Sequence, residues 1–373
     1  MSDIKLEFAK FVSEGSHYEI GKAIGKALPE FGGLFKINVA DESADKQKTA
    51  EKKKLIDEFC PGVFDEITGL ADGLGLSVEK LTIMSDFSVA GGCSQFIALP
   101  NITKNGDVLF GRGYEFDPND ELCLCITRAE GKPAHIGFSL LLIGRFDGMN
   151  EHGFAVSMST CEFVKRSSGG GLWFPLVLRS LLDNCKNVED ARHLLKTMPI
   201  RSNINIAIAD KSGNAAVAEV LSVEEGKSVY FRENEDYIIA TNHYLSKGAL
   251  ASGIGGGRHS TIRYDAVKKA LSEEKGSVTE GTIKSILGRK VPEGTYCPFY
   301  KDGLGTLHSM VFNLTKTEVE VCIGLPAPHK WEKIAFDTPV GTSLIIETVT
   351  NEYAENPGEF WPTLPPDELN IMV

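Results

Sequence analysis

The sequence predicts an α+β fold in which antiparallel sheets lie under helices. Three features predict it. Apolar residues up to position 92 recur mostly at helical spacing, the period changes to that of strands at Cys93, and later elements arrive as strands, a helix pair, more strands and more helices. Long β-α-β alternation is absent, so a doubly wound parallel sheet is disfavoured.

In the first 92 residues, His17 to Leu28 places Ile20, Ala23, Ile24 and Leu28 on one helical face. Lys46 to Lys54 reads as a solvated helix face rather than a binding patch. Phe59 to Leu74 carries Phe64, Ile67, Leu70, Ala71 and Leu74 on one stripe, ended by Gly73 and Gly75, and Ser77 is placed to cap a further helix. Strands are predicted at 93–99, 107–113, 121–127 and Ala134 to Ile143, and Asp147 to Gly153 turns into a strand at Phe154 to Thr160. Helices follow at Trp173 to Asn184 and Val188 to Met198, the second capped by Asn187 with Glu189 and Asp190 in its first turn. Alternation returns in Asn203 to Asp210, Ala215 to Leu221, Lys227 to Phe231 and Tyr237 to Thr241. Ser260 to Leu271 and Val278 to Leu287 read as helices, Thr306 to Leu314 and Glu318 to Gly324 as strands, and the proline-rich end as an extended tail.

A length of 373 residues allows two domains or one large one, and 42% hydrophobic with 24% charged residues is ordinary globular composition. With 39 basic against 51 acidic residues the net charge is −12, which argues against nucleic acid or an anionic membrane as main partner. No apolar run approaches the roughly 18 residues of a membrane span, and no apolar stretch stands behind a basic start at Met1-Ser2-Asp3-Ile4-Lys5, so a cytoplasmic location is expected. Eight cysteines without a CxxC point to reduced, packed side chains rather than a disulfide or zinc scaffold, and Cys123 and Cys125 share one strand face.

The chain has no GxSxG, HExxH or GxxxxGK[ST], and its histidines show no metal spacing, so neither metal nor cofactor is expected. The glycine triplets 169–171 and 255–257 read as mobile loops. The sharp feature is Ala90-Gly91-Gly92-Cys93-Ser94-Gln95-Phe96, two glycines before a cysteine at the start of a strand. By itself it admits a loop followed by a buried cysteine as well as a reactive thiol.

Further segments carry a resemblance. Phe59 to Gly73 looks like the approach to the cleavage site in the isopenicillin N acyltransferase family, and Gly92-Cys93 is similar to that family's scissile bond. Leu109-Phe110-Gly111-Arg112-Gly113-Tyr114-Glu115-Phe116 resembles a segment shared with choloylglycine hydrolases and acid ceramidase. Asp147 to Gly153, Ala240-Thr241-Asn242-His243 and Ser260-Thr261-Ile262-Arg263-Tyr264 resemble further segments of those relatives, in the same order. The resemblance implies an N-terminal-nucleophile hydrolase: an αββα four-layer sandwich with a helical N-terminal prosegment, made as a self-cleaving precursor. Residues 1–92 would be the small subunit and 93–373 the Ntn-hydrolase domain.

The chemistry suits these residues. An amide needs a strong nucleophile, a proton shuttle and charge stabilisation. A chain broken between Gly92 and Cys93 would offer a thiol to attack and a new α-amine, of reference pKa about 7.7–8.0, to act as base. Arg112, on the strand expected to pair with that of Cys93, would lower the thiol pKa. Glu115 would hold the amine, although the family more often has Asp there and Asn where Gly113 stands; Asp117 is the competing carboxylate. Asn242 would donate its side-chain amide to the oxyanion, or merely cap a turn. Arg263 would brace the site by a salt bridge or lie on the surface. Thr160 falls where choloylglycine hydrolases place an oxyanion asparagine, and Asn150 belongs to the hairpin turn. The expected function is a cysteine amidohydrolase or acyltransferase acting on a small-molecule N-acyl amide or thioester, with penicillin- or bile-salt-type substrates as subdivisions. The alternative is an uncleaved binding protein for acylated small molecules. No nucleic acid or membrane partner is expected, and a homo-oligomer is allowed.

Overall fold

The computed structural model describes residues 2–32, 34–35, 46–81, 92–119, 122–140, 142–161, 170–224 and 226–370. Strand β1 (Ser2–Gly15) leads into helices α1 (His17–Ala27), α2 (Lys46–Phe59) and α3 (Val63–Leu74). Strands β2 (Gly92–Ala98), β3 (Leu109–Phe116), β4 (Leu122–Ala129), β5 (His135–Leu140), β6 (Asp147–Asn150) and β7 (Phe154–Thr160) follow, then α4 (Phe174–Asn184) and α5 (Val188–Thr197). Next come β8 (Ile204–Asp210), β9 (Ala215–Val223), β10 (Gly226–Arg232), β11 (Tyr237–Ala240), α6 (Lys247–Leu250), β12 (Gly256–Gly257), α7 (Arg258–Glu273) and α8 (Glu280–Gly288). The chain ends with β13 (Pro298–Phe299), β14 (Leu304–Asn313), β15 (Glu318–Ile323), β16 (Glu332–Ile334), β17 (Gly341–Asn351), α9 (Pro357–Phe360), β18 (Thr363–Leu364) and α10 (Pro366–Asn370).

Two sheets result. The larger runs β10-β9-β8-β7-β6-β5-β4-β1-β17, and the smaller runs β11-β2-β3-β14-β15-β16 with β13 beside β14. Their inner faces meet: β2 packs on β7, and Gln95 Nε2 donates to Ser159 Oγ across the gap at 3.0 Å. Helices α4 and α5 cover the outer face of the large sheet, and α7 and α8 that of the small one. This is the four-layer αββα sandwich, and β2, β7 and β8 are buried on both faces, polar residues such as Gln95, Ser159 and Asn205 included.

The helical reading of residues 1–92 holds for α1 to α3 but not for the first fifteen residues. There Leu6 and Phe8 are buried while Glu7 is partly exposed, and the alternation then dissolves into Ala9, Phe11 and Val12, all buried. Strand β1 pairs parallel with β4 and antiparallel with β17, so it is an interior strand of the large sheet. The helix expected after Ser77 is a three-residue 3-10 turn, Val78–Lys80, without a side-chain cap bond. The C-terminal tail is packed, not simply extended: β17 pairs with β1, β18 pairs with β12, and Phe360 and Leu369 are buried. That pairing also fixes Gly256 and Gly257, which are buried strand residues rather than a mobile loop. The other triplet begins at residue 169, and the strand expected through Ile143 crosses residue 141; both positions lie outside the described residues.

Helix α1 starts at a Ser16–Glu19 capping box and packs on α3 through paired glycines. A Cβ on Gly21 would strike the Glu66 carbonyl, and one on Gly69 the Tyr18 carbonyl, so the two backbones touch. The same contact carries a buried ionic cluster. Glu66 receives Arg179 Nη1 at 3.1 Å and Nη2 at 2.8 Å, and His17 Nδ1 lies 2.8 Å from its Oε2. Arg179 Nε in turn donates to Asp183 at 2.8 Å. Burial pushes the Glu66 carboxyl up, but Arg179 and His17 outweigh it and bring the pKa down to about 2. Residues 1–92 are thus joined to the rest by an interior strand and a desolvated ion pair.

Replacing one partner of such a pair leaves the other charged and alone. Glu66→Ala is expected to cost about 3–5 kcal/mol of unfolding free energy. Guanidinium unfolding would show a matching fall in midpoint, and an unchanged midpoint would refute the assignment.

Candidate active site

The site grows out of the β2–β3 hairpin. Its register pairs Gly92 with Glu115, Cys93 with Tyr114, Ser94 with Gly113 and Gln95 with Arg112. Because paired residues share a face, Cys93, Gln95, Arg112 and Tyr114 point between the sheets, while Ser94, Gly113 and Glu115 point toward α7 and α8. Gly92 must be small: a Cβ there would strike Leu304 and lie 3.0 Å from Glu115 Cβ.

Around Cys93 the expected residues converge. Its main-chain N–H donates to Asn242 Oδ1 at 2.8 Å. Its carbonyl accepts from Arg263 Nη1 at 2.6 Å. The same nitrogen donates to Ser94 Oγ at 2.9 Å and Glu115 Oε2 at 3.2 Å, and Arg263 Nη2 donates to Asn242 Oδ1 at 2.8 Å. Arg263 is fully buried, so it is the brace and not a surface arginine. Arg112 Nε donates to Asp147 Oδ2 at 3.1 Å, and the rest of its guanidinium is left to the Cys93 thiol. Its charge favours the Cys93 thiolate, as expected, but burial is the larger influence and holds the thiol pKa up; Glu115 adds to the rise. Cys93 is only 2% exposed, so in the unbroken chain the thiol is a shielded, protonated group.

Two expectations change. Asp117 is exposed and accepts the Asn119 N–H in a local turn at 2.9 Å, so Glu115 is the carboxylate at Cys93. Thr160 enters through its carbonyl, which accepts Asn242 Nδ2 at 3.0 Å. That bond uses one of the two amide hydrogens of Asn242, which meets the Cys93 N–H with its oxygen. Asn150 is a turn residue as read, its Oδ1 accepting from His152 N at 3.1 Å and Phe154 N at 3.3 Å.

Several neighbours escaped the sequence reading. Asp147 joins Arg112 to His308, whose Nε2 is 3.1 Å from Asp147 Oδ2 and whose ring stacks on Tyr114 and Phe138. Burial opposes the Asp147 charge, yet the His308 hydrogen bond and Arg112 keep its pKa below the usual range. Ser260 Oγ accepts the Asn242 N–H at 2.6 Å and lies 2.7 Å from His243 Nδ1, fixing the Asn242 turn. His259 sits 3.1 Å from Arg263 Nη2. Only the sequence neighbourhood of Asn242 and Arg263 hinted at these two histidines. Among the described residues no three His, Cys, Asp or Glu side chains gather as a metal site, and no helix is long and apolar enough to cross a membrane.

The αββα sandwich of two stacked sheets between helix layers is the fold of the N-terminal-nucleophile hydrolases. The model of the acyl-coenzyme A:6-aminopenicillanic acid acyl-transferase family matches residues 102–328, more than half of the chain, and the chain belongs to that family. Among solved structures it is similar to a conjugated bile acid hydrolase variant from Clostridium perfringens, at 15% identity over 70% of this chain and 99% of that one, with a TM-score of 0.47. Penicillin V acylase from Agrobacterium tumefaciens gives 14% identity over 62% and 83%, with a TM-score of 0.45. The Caenorhabditis elegans ortholog of N-acylethanolamine-hydrolyzing acid amidase gives 17% over 60% and 93%, with a TM-score of 0.42. No curated protein matches the sequence.

The buried histidines, His243 and His259 at the site and His135 of β5 beside Asp183, give the fold a pH signature. Burial lowers His135 to about 4, and burial with the nearby arginines lowers His243 and His259 to about 3. In the unfolded chain each takes up a proton near pH 6.5, so stability is complete above that pH and declines as pH falls toward 4, by up to about 1.4 kcal/mol per unit per histidine. Thermal unfolding between pH 7.5 and 4 would show the loss starting below neutrality; a flat profile to pH 4.5 would contradict it.

Proposed function

We propose that this chain cuts itself between Gly92 and Cys93 and then acts as a cysteine amidohydrolase or acyltransferase on an N-acylated small molecule. The observation that carries the reading is the grip of Asn242 and Arg263 on the backbone N–H and C=O of Cys93, with Arg112 on the thiol side and Glu115 opposite Gly92. In the first step the Cys93 thiol loses its proton and attacks the Gly92 carbonyl. The C–N bond breaks as the amide nitrogen takes a proton, giving a thioester and a free α-amine, and water then releases residues 1–92 as a carboxylate. In turnover the α-amine takes the thiol proton, the thiolate attacks the substrate carbonyl, and the departing amine carries the proton away. The thioester is resolved by water or by a second amine. Asn242 Oδ1, which receives the Cys93 N–H in the unbroken chain, would receive the amine and aim its lone pair.

The departures at Gly113 and Glu115 are the sequence features that favour the binding-protein alternative. Glu115 sits at the site with its carboxylate on Arg263, which supports the enzyme reading.

Cys93→Ala is expected to give a single chain by intact mass, with no activity on penicillin V, bile-salt conjugates or N-acyl amines. The parent should yield a second chain whose Edman sequence starts Cys-Ser-Gln-Phe. Cleavage or turnover in the alanine variant would end the proposal.

A further inference from the structure

We propose that Gly113 is the positioning residue for the Glu115 carboxylate: the side chain omitted at 113 leaves the seat in which Glu115 Oε1 lies while Oε2 meets Arg263 and Ser94. Gly113 and Glu115 are two residues apart on β3 and face α7 and α8 together. A Cβ on Gly113 would fall 2.5 Å from Glu115 Oε1, far inside contact distance. Apart from Glu115 itself, the nearest atom would be Leu287 Cδ2 at 3.6 Å, an ordinary contact. The backbone does not call for glycine either, since Gly113 lies in a regular strand and is not among the glycines of positive φ. What a methyl at 113 displaces is the carboxylate.

The carboxylate has reason to respond. Glu115 is fully buried; its Oε2 takes Arg263 Nη1 at 3.2 Å and stands 3.5 Å from Ser94 Oγ, while Oε1 has no hydrogen-bond partner. With no donor to hold Oε1, the free volume at 113 decides where it rests. Arg263 faces it from α7 and Ser94 from the hairpin, Arg112 on the opposite face of β3 acts on it by charge alone, and Cys93, Cys297 and Tyr300 feel its charge. Burial pushes the Glu115 carboxyl up against the pull of the two arginines, so a change of seat alters its protonation as well as its reach.

The inference rests on the proposed role of Cys93 for its activity readout, and a second readout does not. Gly113→Ala meets only the end of a flexible side chain, so it is expected to melt with the parent. Self-cleavage and turnover should fall about 10²-fold, the scale of a 1 Å misplacement at a reacting centre, with a shifted pH profile. In Glu115→Asp the shorter acid does not reach the contested volume, so adding Gly113→Ala there should change neither rate nor profile further. Equal fractional losses in the two backgrounds, or a parent-like rate and profile in Gly113→Ala, would overturn the inference. Should Gly113→Ala fail to fold, cooperative unfolding regained in the double variant supports it, and failure of both overturns it. Iodoacetamide labelling of Cys93 against pH, followed on its peptide by mass spectrometry, is read in the same proteins. A midpoint that Gly113→Ala moves in the parent background and leaves unmoved in the Glu115→Asp background supports the seat even in a chain that neither cleaves nor turns over, a result that would sink the functional reading alone. A midpoint unmoved in both backgrounds counts against the seat.

Discussion

The site depends on one buried guanidinium. Arg263 reaches from α7 through the outer face of the small sheet and donates to the Cys93 carbonyl, Ser94 Oγ, Glu115 and Asn242. A planar fork with fixed donors can hold four acceptors from three separate segments in one geometry, which a lysine cannot do. Without it, Glu115 would be a buried carboxylate lacking its ion pair, and Asn242 would be fixed to Cys93 by one bond instead of through a shared partner. The cost of burying the arginine is met by these acceptors, so fold and site are stabilised by the same contacts.

A second buried chain lies on the other side of β2. Arg112, Asp147 and His308 link the hairpin to β6 of the large sheet and β14 of the small one. Its effect is directional: Asp147 anchors Arg112 by Nε and leaves the rest of the guanidinium to the Cys93 thiol. A guanidinium held by its root on Asp147 and meeting the thiol favours negative charge on sulfur, although burial still outweighs it.

The sequence announced whatever is local. Helices α4, α5, α7 and α8 were legible from periodicity and caps, and the β2–β3 hairpin from its two apolar runs. Arg112, Asn242 and Arg263 were legible only through short motifs, because nothing local distinguishes a buried arginine from an exposed one. Asp147 and His308 were invisible as partners: they stand 161 positions apart and meet because two sheets stack. Strand β1 was missed because its clear alternation covers only Leu6 to Phe8 before both faces become buried, and β17 because its outward residues include Leu344 and Ile346, which blur the pattern. Glycines 21, 25, 69 and 73 carried an unread signal of their own, the close helix pair that brings Glu66 to Arg179.

The placement of β1 bears on what cleavage can achieve. A cut before Cys93 would leave residues 1–92 supplying an interior strand and half of a desolvated ion pair, so the two pieces would share one core and separate only on unfolding. The new amine would then be held where the peptide nitrogen now is, in a site that is almost fully buried and faces two guanidinium groups. Desolvation and like charge both disfavour an ammonium, so its pKa would fall below the free α-amine value of about 7.7–8.0. Glu115 opposes that fall, and its own charge is weakened by burial. An amine in that setting must be unprotonated before it can take the thiol's proton, and the two guanidinium groups and burial act in that direction.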